Sequence, residues 1–349
     1  MAARYSLCAI AAAGLSLFAT GCVAPAPGTA TVPSASLAPA WPPPPAEARV
    51  RYVRSVSGPS DLGITKGIVQ RIVSALSGNG GDEHFVRPTG VAEHAGVVYV
   101  ADPGAPALWI LDTKRQSYVK VSEVDNKPLS SPVAVAVGPD RSVFLADTGL
   151  KRVFLLDDEG KLVRVVAGSE LERPAALAYD GATGRLYVAD AVRHRIGVYD
   201  PSGALTDAFG RPGTKDGELN YPTHLCLDPA GALLATDAMN FRIEAFAHDG
   251  RFLWKLGHHG DGSGDFAAPK GLAADTAGHV FVVDALFDAV QIFERDGTFL
   301  LSFGSRGTEP GQFALPGGIF INAQDQVYVA DAYNRRVQVF AVGASATLK

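Results

Sequence analysis

Apolar residues in this chain come in short bursts of four to six, each closed by a turn-forming Asp, Gly or Pro. Residues 268–304 show the unit. Gly271 to Ala274 is a brief apolar run, and the turn from Asp275 to Gly278 carries the Asp and Gly of a hairpin. His279 to Val283 predicts a second strand, closed by Asp284. After the loop Ala285 to Asp288, Val290 to Glu294 predicts a third strand, and Asp296-Gly297 turns it into a fourth, Phe299 to Phe303.

The unit recurs. Aspartates end the second strand at Asp102, Asp147, Asp190, Asp237, Asp284 and Asp331, spaced 45, 43, 47, 47 and 47 residues apart. Prolines keep step at Pro88, Pro132, Pro174, Pro222, Pro269 and Pro316. Self-similarity at this period marks one supersecondary unit copied in an array, and four antiparallel strands per unit describe a propeller blade. The last unit stops after its third strand, while Arg49 to Ser57 (RVRYVRSVS) alternates as a strand should. The expectation is therefore an all-β, six-bladed β-propeller over residues 49–342, with residues 343–349 as a tail. Its ring is closed by Arg49 to Ser57 pairing with Val337 to Phe340, which removes an open edge.

One stretch breaks the repeat. Between the closing strand and the first blade, residues 59–87 form an unusually long connection. Ile64, Ile68, Ile72 and Leu76 recur in it at fourfold spacing, beside Val69 and Val73. That stripe predicts an amphipathic helix over 64–77, stopped by Gly78 and packed on the loop face or the rim of the ring.

The repeat reads P-x-G-[IV]-[AV], then YVAD, then N-x-R-[IV]-x-[VF]-[FY], then DG-x-[FL]-x-x-x-[FL]-G, and it resembles the NHL repeat. The best matches are Pro316 to Phe340 and Pro222 to Gly257. Within that group, VVDALFDAVQIF (282–293) and SFGSRGTEPGQF (302–313) resemble secreted bacterial six-bladed NHL lipoproteins, whose genes often accompany multihaem cytochromes. The resemblance implies a setting, extracellular electron transfer or envelope assembly with a cytochrome-containing complex as partner. It implies no reaction.

The start of the chain fits such a setting. Arg4 and the apolar stretch Leu7 to Phe18 make residues 1–21 a signal peptide, the stretch being too short for a membrane span. Ala19-Thr20-Gly21-Cys22 resembles a lipobox, with Ala where Leu is commonest. This implies a lipidated Cys22, and Val23 after it favours the outer membrane. Residues 22–48 hold eight prolines and predict a semi-rigid tether with a reach on the order of 80 Å at about 3.1 Å per residue. Of three cysteines only Cys226 remains as a thiol, so no intrachain disulfide forms. It stands where other blades have Ala92, Ala136, Ala178 and Ala273, which makes it a small buried hydrophobe.

Charge narrows the function classes further. A net charge of −5 leaves no basic surplus for a phosphate backbone, which argues against nucleic acid. The recurrent Asp has a recurrent Arg partner, Arg152, Arg195, Arg242 and Arg336, replaced by Ala107 and Ala289 in the first and fifth units. These pairs (Asp147–Arg152, Asp190–Arg195, Asp237–Arg242, Asp331–Arg336) are expected to stitch blades together. The stretches 210–219, 257–266 and 304–313 are glycine-rich, but each leads into a proline and a strand, not the helix of a phosphate loop. No motif implies a cofactor.

Two candidate sites remain. NHL-like propellers include a peptidyl-α-hydroxyglycine amidating lyase whose site resembles three channel histidines around zinc. The equivalent channel position reads Gly90, Ala134, Ala176, His224, Gly271 and Gly318, one histidine where about three ligands are needed. His258 and His259 in a nearby loop would have to complete it, for a metal-dependent lyase or hydrolase. The other candidate is apolar. Met239, Phe241, Leu286, Phe287 and Tyr333 occupy loops of three successive units, where polar residues are expected, and such surface usually marks a partner site. The leading expectation is a lipid-anchored, monomeric, non-enzymatic module that presents those loops to an envelope protein.

Overall fold

The computed structural model describes residues 38–64 and 83–343. Among the described residues the apolar bursts of the repeat become strands, and the only helices are single 3-10 turns at Pro59–Leu62, Pro139–Arg141 and Ala238–Asn240. None is long and apolar enough to cross a membrane. The strands form six antiparallel blades. Blade four is typical, running outward in chain order through Pro222–Leu227, Leu233–Asp237, Arg242–Phe246 and Phe252–Leu256.

The six innermost strands touch one another in sequence, and Ile319–Ile321 of blade six touches Gly90–His94 of blade one, closing the ring. The two middle strands of blades four and five are buried at every position, while their outermost strands are largely half-buried or exposed. A middle strand packs against a neighbouring blade on both faces, so it reads as a continuous apolar run. The core accordingly lies between blades. Val56, Tyr328 and Val337 of blade six pack against Val91, Val100 and Trp109 of blade one.

Closure follows the expectation. Val50–Val56 pairs antiparallel with Arg336–Val342, from Val50 opposite Val342 to Val56 opposite Val337, with a bulge between Tyr52 and Arg54. A further strand, Ala40–Trp41, adds to its outer side. The tether assigned to 22–48 therefore ends before Ala40. Trp41 is the one large aromatic in that proline-rich stretch, and its ring lies 5.7 Å from Phe303 and 5.9 Å from Phe340. This ring packing holds the end of the spacer against the sheet. The signal peptide, Cys22 and most of the tether lie outside the described residues, as does the expected helix 64–77 beyond Ile64. Ile64 itself is buried beside Leu62 and Phe85, between blades six and one.

The recurrent aspartates are all buried. Each accepts the backbone N–H of the residue two before the next recurrent proline back along the chain. The donors Val86, Ser130, Glu172, Asn220, Ala267 and Ala314 lie 2.5–2.8 Å from Asp102, Asp147, Asp190, Asp237, Asp284 and Asp331. One side chain thus ends its own strand and holds the linker entering its blade.

The arginine pairing holds in two blades of the expected four. Arg242 and Arg336 place Nε 2.8 Å from Asp237 and Asp331. Their outer nitrogens donate to linker carbonyls, Thr214, Lys215 and Glu218 for Arg242, Glu309 and Gln312 for Arg336. Arg195 instead donates to the Glu170 carbonyl at 3.4 Å, leaving Arg193 3.5 Å from Asp190, and Arg152 is exposed without an ion pair to Asp147 among the described residues. The fold of the linker is the reason. The linkers before blades four and six are the glycine-rich stretches, each folded on itself by a bridge, Pro212 with Leu219 and Arg306 with Phe313. Blades two and three lack that fold and its carbonyls.

Seven residues after the aspartate, blades five and six carry buried glutamines. Gln291 accepts from Gly264 N–H at 2.9 Å and donates to the Asp265 carbonyl at 2.7 Å. Gln338 accepts from Gly311 N–H at 2.9 Å and donates to the Gln312 carbonyl at 2.6 Å. Blade four has Glu244 there. Its Oε1 accepts from Gly217 N–H at 3.3 Å, but its buried Oε2 has no partner. Burial pushes this carboxyl up to about 7, against the pull of Arg242.

Two outcomes are expected. Between the ordinary carboxylate range and about pH 7 the folded chain keeps a proton on Glu244 that the unfolded chain has released, so stability falls with rising pH across that window and levels above it. Glu244→Gln supplies the missing donor. It should remove that slope and add about 1–2 kcal/mol at pH 8, measured by urea denaturation across pH, and an unchanged slope would refute the assignment. Removing residues 38–57 should expose the edge Arg336–Val342 and convert monomer to aggregate in size-exclusion chromatography.

Candidate functional site

The innermost strands of blades two to five begin at their recurrent prolines, those of blades one and six two or three residues later, and each loop after a recurrent aspartate rises on that same side of the ring. Residues flanking the prolines and residues in those loops therefore meet at one mouth of the channel. They line a cavity of about 750 Å³.

The five apolar candidates separate by register. Met239, Leu286 and Tyr333 each follow their aspartate by two residues and stand on the crest of the loop, 57%, 64% and 62% exposed. Val192 holds that position in blade three and is 44% exposed. The sequence reading missed it, although counting from Asp190 finds it. Phe287 is one residue further along, where Asn240 and Asn334 donate down to the Gly213 and Gly307 carbonyls, each at 2.8 Å. It is half-buried in a small pocket of about 280 Å³ with Arg306, away from the mouth. Phe241 is one residue beyond that, in the left-handed conformation at φ 53°. The residues at this position in blades three and five, His194 and Asp288, accept backbone N–H groups of Tyr221 and Leu315 in the following linker. Phe241 likewise turns to the next blade, its ring 4.3 Å from that of His259. So Phe241 and Phe287 are not equivalent to the crest residues, and the expected arc of five becomes a crest of Val192, Met239, Leu286 and Tyr333. Met239, Phe241 and Tyr333 also line the mouth cavity.

The three histidines are not brought together. His258 Nε2 lies 2.8 Å from Asp265 Oδ1, and His259 packs on Phe241. A bridge between His259 and Phe266 folds this linker on itself, and neither His258 nor His259 lines the mouth cavity with His224. Among the described residues no three His, Cys, Asp or Glu side chains gather as metal ligands would. His224 lines the mouth with Nδ1 unpartnered, and beside it the Thr223 hydroxyl is buried and unpartnered as well. Burial, reinforced by the charge of Lys270, holds the His224 imidazole down to about 3, so it stays neutral. Cys226 lines a cavity of about 330 Å³ at the opposite mouth, where burial pushes its thiol up and keeps it protonated.

Sequence reasoning also passed over three cations, Arg87, Arg173 and Lys270, which border the mouth cavity. Each lies directly beside a recurrent proline, Arg87 before Pro88, Arg173 before Pro174 and Lys270 after Pro269. The proline register that located His224 locates them too.

The family described as NHL repeat matches residues 171–199 and 313–340, so the chain carries NHL repeats. Among solved structures it is similar to a streptogramin B lyase, with a TM-score of 0.56 at 15% identity over 74% of this chain and 94% of that one. It is also similar to an auxiliary nutrient binding protein from Bacteroides thetaiotaomicron, with a TM-score of 0.59 at 14% identity over 74% of this chain and 69% of that one. A chain of a nidogen/laminin complex gives a TM-score of 0.53 at 19% identity over 70% of this chain and 86% of that one. Identity this low carries the fold alone.

Burial predicts a division among the loop residues. Phe241→Ala removes a ring wedged between blades and should cost about 1–3 kcal/mol, somewhat less than for a fully buried ring. Met239→Ala and Leu286→Ala should each stay within about 0.5 kcal/mol of the parent. Urea denaturation of the three variants decides this, and equal losses would mean that the crest side chains pack into the ring.

Proposed function

We propose that this chain is a lipid-anchored, non-enzymatic binding module of the cell envelope that presents its loop face to a protein partner. The observation that carries the reading is the crest. Val192, Met239, Leu286 and Tyr333 repeat one register position on four successive blades and expose large apolar side chains there. A side chain held in the open on a rigid ring costs little to order on binding, and large apolar and aromatic residues are the usual anchors of interfaces.

The fold is compatible with this role, since its similar structures bear the names of a nutrient binding protein and of a nidogen/laminin complex as well as of a lyase. Reading the mouth as a lyase centre has less support, because it offers one neutral histidine and no carboxylate among the described lining residues. The envelope setting rests on the lipobox-like Ala19 to Cys22 and on the resemblance to NHL lipoproteins. That resemblance also suggests a cytochrome-containing complex as the partner.

The test is a quantitative pull-down from envelope extract with the parent chain and a Met239→Ala, Leu286→Ala, Tyr333→Ala variant. Truncating one true anchor costs about 2 kcal/mol, roughly thirtyfold in affinity. The triple variant should therefore lose the specific partner while its thermal midpoint stays that of the parent. Retention of the same partner at the same strength would overturn the reading. Cys22→Ser should shift the protein from the membrane fraction to the soluble one, with loss of the lipid mass on the mature N-terminus.

A further inference from the structure

We propose that the channel mouth is a binding site for a small anionic ligand, one bearing a carboxylate or phosphate group on an apolar body. This goes beyond the crest, since the ligand would lie inside the ring and the protein partner on its rim.

The charge arrangement is the first support. Arg87, Arg173 and Lys270 come from blades one, three and five, alternate positions around one opening. The chain as a whole is acidic, at −5, yet among the described residues no carboxylate lines this cavity. Glu172, the neighbour of Arg173, is turned to Lys151 and Arg193, at 3.6 and 4.0 Å. Three like charges bordering one cleft repel each other in the empty ring, and an anion at the centre relieves that repulsion.

The second support is independent of charge. Thr223 Oγ1 and His224 Nδ1 are adjacent in the cavity wall, are both buried, and meet no protein group. Buried polar atoms are nearly always paired, so a ligand that draws either side chain toward the opening supplies the partner these atoms lack. A hydroxyl can donate to an anionic oxygen, and a neutral imidazole can donate from the nitrogen that carries its proton.

The remaining wall suits an apolar body. Tyr221 lies under the Arg173 guanidinium, 5.8 Å from its ring centre, and Met239, Phe241 and Tyr333 complete the side facing blades four and six. A volume of about 750 Å³ falls within the range of small-molecule sites, roughly 300–1,000 Å³. Apolar walls with few convergent polar groups are the usual composition of such sites.

Isothermal titration of the full-length protein in neutral detergent tests this with four probes. These are phenylphosphonate, 1-naphthoate, inorganic phosphate and the uncharged 1-naphthalenemethanol. The two anionic aromatics should bind one per chain, inorganic phosphate more weakly, and the neutral alcohol at least roughly tenfold more weakly than naphthoate. Arg173→Gln with Lys270→Gln should reduce binding of both anionic aromatics by roughly tenfold or more and flatten its dependence on salt. Thr223→Val with His224→Phe, which leaves the charges in place, should weaken binding while keeping the salt dependence. A thermal melt of each variant shows that the ring is intact, and these side chains stand at the mouth, outside the inter-blade core. Absence of binding at millimolar probe overturns the proposal, as does equal binding of the neutral alcohol or indifference to the cation changes. Loss of partner capture in a Val192→Ala, Leu286→Ala variant, whose two side chains lie outside the cavity lining, with these affinities intact would separate the two sites.

Discussion

Everything in this ring depends on one buried carboxylate per blade accepting a backbone N–H from the linker that enters the blade. The six aspartates are fully or almost fully removed from solvent, and each takes its linker donor at 2.5–2.8 Å. A hydrogen bond to a charged group is worth more than one between neutral groups, and a buried N–H left without its acceptor is costlier still. The bond fixes the backbone at the recurrent proline that leads into the innermost strand, and thereby what faces the channel. It also fixes the start of the loop that rises on the same side. Mouth and crest are both measured from this point.

What each blade adds around the aspartate depends on the linker it must hold. A long glycine-rich linker folds on itself and turns carbonyls inward, and an arginine or a glutamine reads them. Linkers without that fold offer less: Arg195 reaches only the Glu170 carbonyl, and Arg152 is exposed. Blade four combines Arg242 with Glu244, so it carries a buried acid where blades five and six carry amides. A strict repeat therefore contains one titrating joint, set by a single atom's difference between Glu and Gln.

The loop face holds two chemistries at different depths. On the crest, apolar side chains two residues beyond the aspartate point away from the ring. In the mouth, cations beside the prolines surround an opening whose wall carries unpartnered hydroxyl and imidazole groups. The two levels share Met239 and Tyr333, which stand on the crest and also line the mouth, while Val192 and Leu286 belong to the crest alone. Phe241 joins the two levels: it lines the mouth with one face and packs against the next blade's linker with the other.

The period of the aspartates and prolines, the apolar bursts between them and the incomplete last unit were enough to state the blade number, the closing strand and its partner. These are local or countable properties: alternation follows the pleat of a strand, and a repeat that lacks one strand must borrow it. The position of His224 was legible for the same reason, and Arg87, Arg173, Lys270 and Val192 could have been read by the same count. Side-chain direction within the loops could not. Leu286 and Phe287 are adjacent and equally apolar, yet one stands in solvent and the other turns under the loop, because consecutive residues of a tight turn point to different sides. Whether an arginine meets its aspartate was equally hidden, since it depends on carbonyls supplied by a linker more than twenty residues earlier. Trp41 shows the same limit, its proline-rich context reading as spacer until the rings of Phe303 and Phe340 were brought beside it from the far end of the chain. Contacts of that kind exist only once the ring has closed, so tertiary structure alone could decide them.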